Sequence, residues 1–198
     1  MMTMHAPKPV QPWDPTIRWL HMGMALTITF QLFTSLDMST PQTADVFLLH
    51  QIVGVTAACV IAAHWFWVVR YRQGWYLSQL FPWYPSGRRA VLADLRGLLR
   101  GQLPESGPRV GLPSYIHGLG FLTMTGMGLT GVLNLMLRPS FKGMHGAAMF
   151  TAVSETHNLI SYLAWAYWIG HVSIVVIHQL ARQPVVSSMF GPRRVRQQ

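Results

Sequence analysis

The chain has 198 residues, of which 51% are apolar and only 11% charged, against about 25% charged in an ordinary soluble domain. That deficit excludes a conventional water-soluble globule and makes lipid the expected solvent for much of the surface. The net charge of +9 does not indicate nucleic-acid binding, because the basic residues lie in flanks and loops and build no basic face.

In chain order, the first sixteen residues hold one lysine and no small-residue cleavage site, which argues against a removable signal peptide. Asp14 and Pro15 are an N-cap and a first-turn proline for the segment that follows. Four apolar segments, at about 17–36, 46–69, 115–137 and 157–180, are each long enough to cross a hydrocarbon core of about 30 Å. Inside lipid the backbone must satisfy its own hydrogen bonds, which requires helices rather than open sheet. The expectation is an all-α integral membrane protein, a four-transmembrane-helix bundle forming one domain over 1–198.

The connection at 37–45 is short and acidic, whereas the one at 70–113 is long. Its first part is aromatic and punctuated by Pro and Gly. Its second part, 88–101, sets Val91, Leu92, Leu95, Leu98 and Leu99 on one face, as an amphipathic helix in the membrane interface would. The connection at 138–155 contains Gly143-Met144-His145-Gly146 and little charge, a candidate surface for a partner outside the membrane. Thirteen of the fifteen Lys and Arg residues fall in the N-terminal segment, the long loop and the C-terminal tail; Arg138 and Lys142 are the exceptions. The positive-inside rule then places both termini and the long loop in the cytoplasm. The single cysteine, Cys59, lies within the second span, which leaves no intramolecular disulfide, no covalent haem motif and no cysteine set for an iron–sulfur cluster.

Nine histidines are many for such a chain, and intramembrane ionisable residues are functional candidates because burying them is costly. His50 and His64 stand fourteen residues apart on the second segment, as do His157 and His171 on the fourth. Fourteen helical residues make nearly four turns and rise about 21 Å, so each pair shares a face and reaches two depths. Both segments run inward, so His50 and His157 meet near the outer surface. His171 lies at the inner level, where His64 and His21 both compete to face it, and spacing alone does not separate them. Zinc favours four close ligands, usually with cysteine or carboxylate among them. Facing histidine pairs without an acidic residue at depth suit the two axial positions of a haem iron. Gly54, Gly170 and the glycines at 118, 120, 126, 128 and 131 allow either close helix packing or a flat ligand against backbone. Trp165 and Trp168 lie in mid-span, where core packing or contact with a large aromatic ligand would use them.

The run Trp13-Asp14-Pro15-Thr16-Ile17-Arg18-Trp19-Leu20-His21, with His50 and Gly54 and then His157, His171 and His178, resembles the bacterial cytochrome b561 / nickel–iron hydrogenase b-type cytochrome subunit family. The gamma subunits of formate dehydrogenases belong to the same group. The resemblance implies a multi-pass protein of the bacterial inner membrane with two non-covalent, bis-histidine haem b groups. The outer haem maps to His50 and His157, and the inner one to His21 and His171. His64 departs from the pattern and is an alternative ligand, a propionate partner or a quinone-site residue. Arg18, Arg70, Arg72 and Arg138 are candidate partners of haem propionates. His117 and His178, like His64, are candidates for a quinone site near the cytoplasmic face.

The implied activity is electron transfer between an extracytoplasmic redox subunit, bearing iron–sulfur or other cofactors, and the quinone pool. Two alternatives stand beside it: a stand-alone oxidoreductase passing electrons from superoxide or another small reductant to quinone, and a histidine-lined metal-ion transporter without haem.

Overall fold

The computed structural model describes residues 14–38, 44–70, 75–104, 109–138, 144–182 and 185–190, and no strand occurs among them. Helix α1 (Pro15–Thr34) begins where Asp14 accepts hydrogen bonds from the amides of Thr16 and Ile17, at 2.9 and 3.2 Å, with Pro15 in the first turn. Both are devices for satisfying otherwise orphaned donors. A 3-10 turn over Ser35–Asp37 follows. Helix α2 spans Ala44–Arg70, α3 Trp75–Leu80, α4 Pro85–Leu99, α5 Leu112–Leu137, α6 Met144–Leu180 and α7 Val185–Phe190.

Among the described residues, three helices are long and apolar enough to cross a membrane: α2, α5 and the Gly146–Leu180 part of α6. Helix α1 has twenty residues, about 30 Å at 1.5 Å per residue. Its lower hydropathy comes from polar side chains whose hydrogen bonds are made inside the protein. Thr27 donates to Gly23 O at 2.7 Å, Thr29 accepts from the Trp168 indole at 3.0 Å, and Gln31 donates to His50 O at 2.7 Å. The bundle runs α1 against α2, α2 against α5 and α5 against α6, with a slighter contact of α6 back to α1.

Apolar side chains face outward along these helices: Leu26 is 68% exposed, Phe66 66% and Leu159 67%. In water such a surface would be an association patch; in lipid it is the ordinary solvated face. The interior is a thin layer to which all four long helices contribute, Leu32 from α1, Ile61 from α2, Phe121 and Met124 from α5, and Ala164 from α6. Two half-buried indoles are satisfied across helices, Trp65 by Thr125 at 2.9 Å and Trp168 by Thr29. Cys59 is exposed on α2.

One boundary differs from the sequence expectation. Helix α6 begins at Met144, thirteen residues before the expected start at 157, so much of the stretch read as a loop is helical. Hydropathy marks only the part suited to lipid, whereas Ala147, Ala148, Met149, Ala152 and Glu155 favour helix independently of it. Packing on α5 holds this extension, with Ser154 donating to Asn134 Oδ1 at 3.0 Å.

The amphipathic loop helix exists, as α4, and its ends explain themselves. Pro85 opens it, and Gly101 closes it at φ 76 with Gln102 N bonded to Gly97 O and Gly101 N to Leu98 O, both at 2.9 Å. That is a Schellman cap. Asp94 then ties α4 to α5, accepting from Arg109 at 2.9 Å and from the Leu112 amide at 2.9 Å. The half-exposed ion pair contributes little, but the amide bond caps α5. Asp94→Ala should cost about 1 kcal/mol locally and raise hydrogen exchange over residues 109–116 roughly fivefold. Asp94→Asn keeps an acceptor and should restore most of that protection. Equal exchange in both variants would assign the contact no capping role.

Candidate functional site

The bundle has a turn end, with the α1–α2 and α5–α6 connections, and a loop end, with α3 and α4. Histidines gather at both. Between them lies the apolar layer: Ile61 stands between His50 and His64, and Ala164 is midway between His157 and His171.

At the turn end, His50 on α2 and His157 on α6 are close enough to interact electrostatically. His50 Nδ1 lies 3.0 Å from Thr34 Oγ1 on α1, and His157 Nδ1 lies 2.8 Å from Thr130 Oγ1 on α5. Gly131 brings α5 against His157; a Cβ there would stand 3.4 Å from the imidazole Cε1. Gly54 similarly admits Gln31, whose amide holds the His50 carbonyl. Arg138 caps this end, with its guanidinium 5.0 Å above the Phe47 ring, one turn from His50.

At the loop end, four histidines from four helices converge. His21 interacts with His117, His171 and His64. The His21 and His171 rings have centroids 6.2 Å apart at 54°, and His117 meets His171 edge-on at 5.0 Å. His117 Nδ1 lies 2.7 Å from Pro113 O. A carbonyl only accepts, so Nδ1 carries the proton and Nε2 the lone pair. His64 is buried against Phe121, with centroids 4.8 Å apart, and its Nδ1 has no hydrogen-bond partner among the described residues. His178, two turns beyond His171, is also buried.

Tyr167 positions His171. The two rings stack at 5.5 Å and 19°. Gly120 makes this possible, because a Cβ at that position would fall within the Tyr167 ring. Gly118 plays a parallel role for the loop, since its Cβ would meet the Leu80 carbonyl. Of the candidate arginines, Arg18 donates from Nε to Met189 O of α7 at 2.6 Å, and Arg70 is exposed at the end of α2. Arg72 lies outside the described residues.

The structure therefore places His50 and His157 together at the turn end, sets His21 and His117 beside His171, and keeps His64 and His178 at the loop end. Thr34, Thr130 and Tyr167 were not anticipated, whereas Gly120 was among the glycines expected to allow close helix packing or a flat ligand. A threonine one helix away, at the depth of each outer histidine, is the signal that would have found the first two. A shallow apolar cleft of about 490 Å³ opens beside the loop-end cluster, lined by Trp65, Leu77, Ser78, Phe81, Trp83 and Leu122.

Two imidazoles on opposite sides of one metal, each with a bond of about 2 Å, place their ring centroids about 6 Å apart. The His21–His171 separation of 6.2 Å fits that spacing. Among the described residues no three His, Cys, Asp or Glu side chains converge as a set for a bare ion. Facing histidines of this kind would be the residues to hold a haem iron, which would supply one-electron chemistry there. No curated protein and no solved structure matches the chain. The family model for prokaryotic cytochrome b561 matches residues 12–192, which include all four long helices and both histidine clusters. The chain belongs to the prokaryotic cytochrome b561 family, the b-type cytochromes of membrane electron transfer.

Proposed function

We propose that the protein is a di-haem cytochrome b that carries electrons across the bacterial inner membrane between an extracytoplasmic redox subunit and quinone. The observation that carries this reading is the pair of histidine clusters at opposite ends of one bundle, with His21 and His171 spaced as axial ligands are. In this reading α1 is the fourth crossing helix, its polar groups being satisfied inside the bundle. Both termini and the α3–α4 loop face the cytoplasm, in line with the thirteen basic residues in those segments.

His50 and His157 hold the outer group, and His21 and His171 the inner one. A haem held by these histidines would supply one-electron transfer. The chain's own part is to set the axial residues, exclude water around them with the Leu32–Ile61–Phe121–Met124–Ala164 layer, and neutralise acidic groups at the two ends. Arg138 does so at the turn end and Arg18 at the loop end, with Arg70 and Arg72 near the inner surface.

Quinone reaches the loop end from lipid. The cleft beside Trp65 has the size of a small-molecule site. Its Trp65 and Phe81 rings are parallel within 6°, with centroids 6.5 Å apart. His64, buried beside Trp65, and His117 and His178 supply exchangeable protons at that end, which quinone reduction consumes. The long α3–α4 segment, pinned by Asp94, supports the reading as a subunit of a larger complex over the stand-alone alternative.

The test is purification of the full chain from its native membrane with spectra and pyridine-haemochrome quantification. Two low-spin haems per chain and co-purification of a cofactor-bearing partner are expected. Quinone reduction by the isolated chain with a small reductant would favour the stand-alone oxidoreductase. A preparation with no Soret band would abandon both haem readings for metal-ion transport.

A further inference from the structure

The turn end contains the same contact twice, on two different helix pairs. Thr34 of α1 meets His50 Nδ1 of α2 at 3.0 Å, and Thr130 of α5 meets His157 Nδ1 of α6 at 2.8 Å. We propose that Thr34 and Thr130 are matched positioning residues that fix both turn-end imidazoles with Nδ1 protonated and Nε2 aimed at the iron, and that they set the redox potential of that centre. The inference rests on the reading of His50 and His157 as axial ligands and adds residues to it.

The direction of each hydrogen bond follows from proton counting. A threonine hydroxyl has one proton and two lone pairs. Thr34 Oγ1 lies 2.9 Å from Phe30 O and 3.2 Å from Gln31 O, and Thr130 Oγ1 lies 2.7 Å from Gly126 O and 3.2 Å from Met127 O. Carbonyl oxygens only accept, so each hydroxyl proton points back into its own helix. Without it, two oxygens at these separations would repel with nothing between them. A lone pair is then left towards the histidine, and Nδ1–H must be the donor.

A neutral imidazole that donates from Nδ1 carries its free lone pair on Nε2, the atom available to a metal. The tautomer is thus chosen before any iron arrives. The two rings cannot turn freely either, since each is tied to the preceding helix. His50 is held a second time, through its carbonyl, by Gln31 at 2.7 Å.

Hydrogen bonding of the remote nitrogen makes an imidazole a stronger donor to metal and stabilises the more highly charged, oxidised state. Outer-sphere partners of this kind commonly alter affinity or activity about 10- to 100-fold. The loop end uses a different device, the stacking of Tyr167 on His171 and the Gly120 that admits it. The two centres therefore respond to different substitutions.

The experiment uses the purified full-length cytochrome with Thr34→Val, Thr130→Val and the double variant, and Thr34→Ser and Thr130→Ser as conservative partners. Each haem is followed in a spectroscopic redox titration, and the ferric low-spin signals by electron paramagnetic resonance. Valine keeps the branched shape and removes the hydroxyl acceptor, leaving His157 its backbone bond to Met127; serine keeps the hydroxyl. Each valine is expected to lower the oxidised-to-reduced ratio of one component at fixed ambient potential by about tenfold, equivalent to about 59 mV for one electron. That component's low-spin signal should shift and the other should stay in place, with serine within about twofold of the parent.

Loss of a single haem in the valine variants, retained in the serine variants, also supports the assignment. Unchanged potentials in both valine variants, equal shifts of both components, or loss of haem in serine and valine alike would overturn it. His50→Ala run in parallel separates the two levels of inference. If that variant keeps both haems, the ligand reading fails; if it loses one while the valines do nothing, only the threonine assignment fails.

Discussion

Alanine at His21 is expected to leave one haem on the chain, whereas alanine at His64 should leave both. His21 and His171 face each other at 6.2 Å, so removing either deletes half of one axial pair. His64 lies within electrostatic reach of His21, yet its ring packs on Phe121 at 4.8 Å. Its truncation removes a buried side chain and should cost about 2–4 kcal/mol of stability through the cavity left behind. The two variants therefore differ in kind: one loses about half of the Soret absorbance, and the other melts earlier with its spectrum intact. Haem-to-protein ratios and thermal melts on both variants decide between them. One haem missing in His64→Ala, with none missing in His21→Ala, would transfer the inner ligand role to His64.

The second large effect is expected at Gly120. Any Cβ there would occupy the Tyr167 ring, and Tyr167 cannot move without losing its stacking on His171. Overpacking a fitted core costs about 1–3 kcal/mol, and the displaced tyrosine would carry the disturbance to the ligand. Gly120→Ala should therefore destabilise the chain and shift the signals of the inner haem, leaving the outer haem as it was. Gly126→Ala is the matched control. Its Cβ would touch only Ile160, at 3.3 Å from Cδ1 and 3.8 Å from Cγ2, and the closer atom is the far end of a flexible side chain that can give way. Identical inner-haem spectra for the parent and Gly120→Ala would remove Tyr167 from any positioning role.

Much of this architecture could be read from the residues, because lipid leaves few choices. Long apolar runs in a chain with 11% charged residues become helices, since no water is present to satisfy an open backbone. Asp14 and Pro15 announced the start of α1 in the same way. Where the reading fell short, the missing information was not local. The early start of α6 at Met144 is set by helix-forming residues and by packing on α5, neither of which registers as hydropathy.

The site divides along the same line. Fourteen-residue spacing by itself determined that His50 and His64, and likewise His157 and His171, share a face and occupy two depths, because helical rise and rotation are properties of one segment. Which histidine faces His171 was open at that level, with His21 and His64 at similar depth on different helices. That depends on the approach of α1 to α6, which places the His21 ring 6.2 Å from His171 while His64 packs on Phe121. The Thr34 and Thr130 hydroxyls and the Gly120 cradle belong to the same class. Each acts on a residue of another helix, and spacing along one helix carries no information about distance between two.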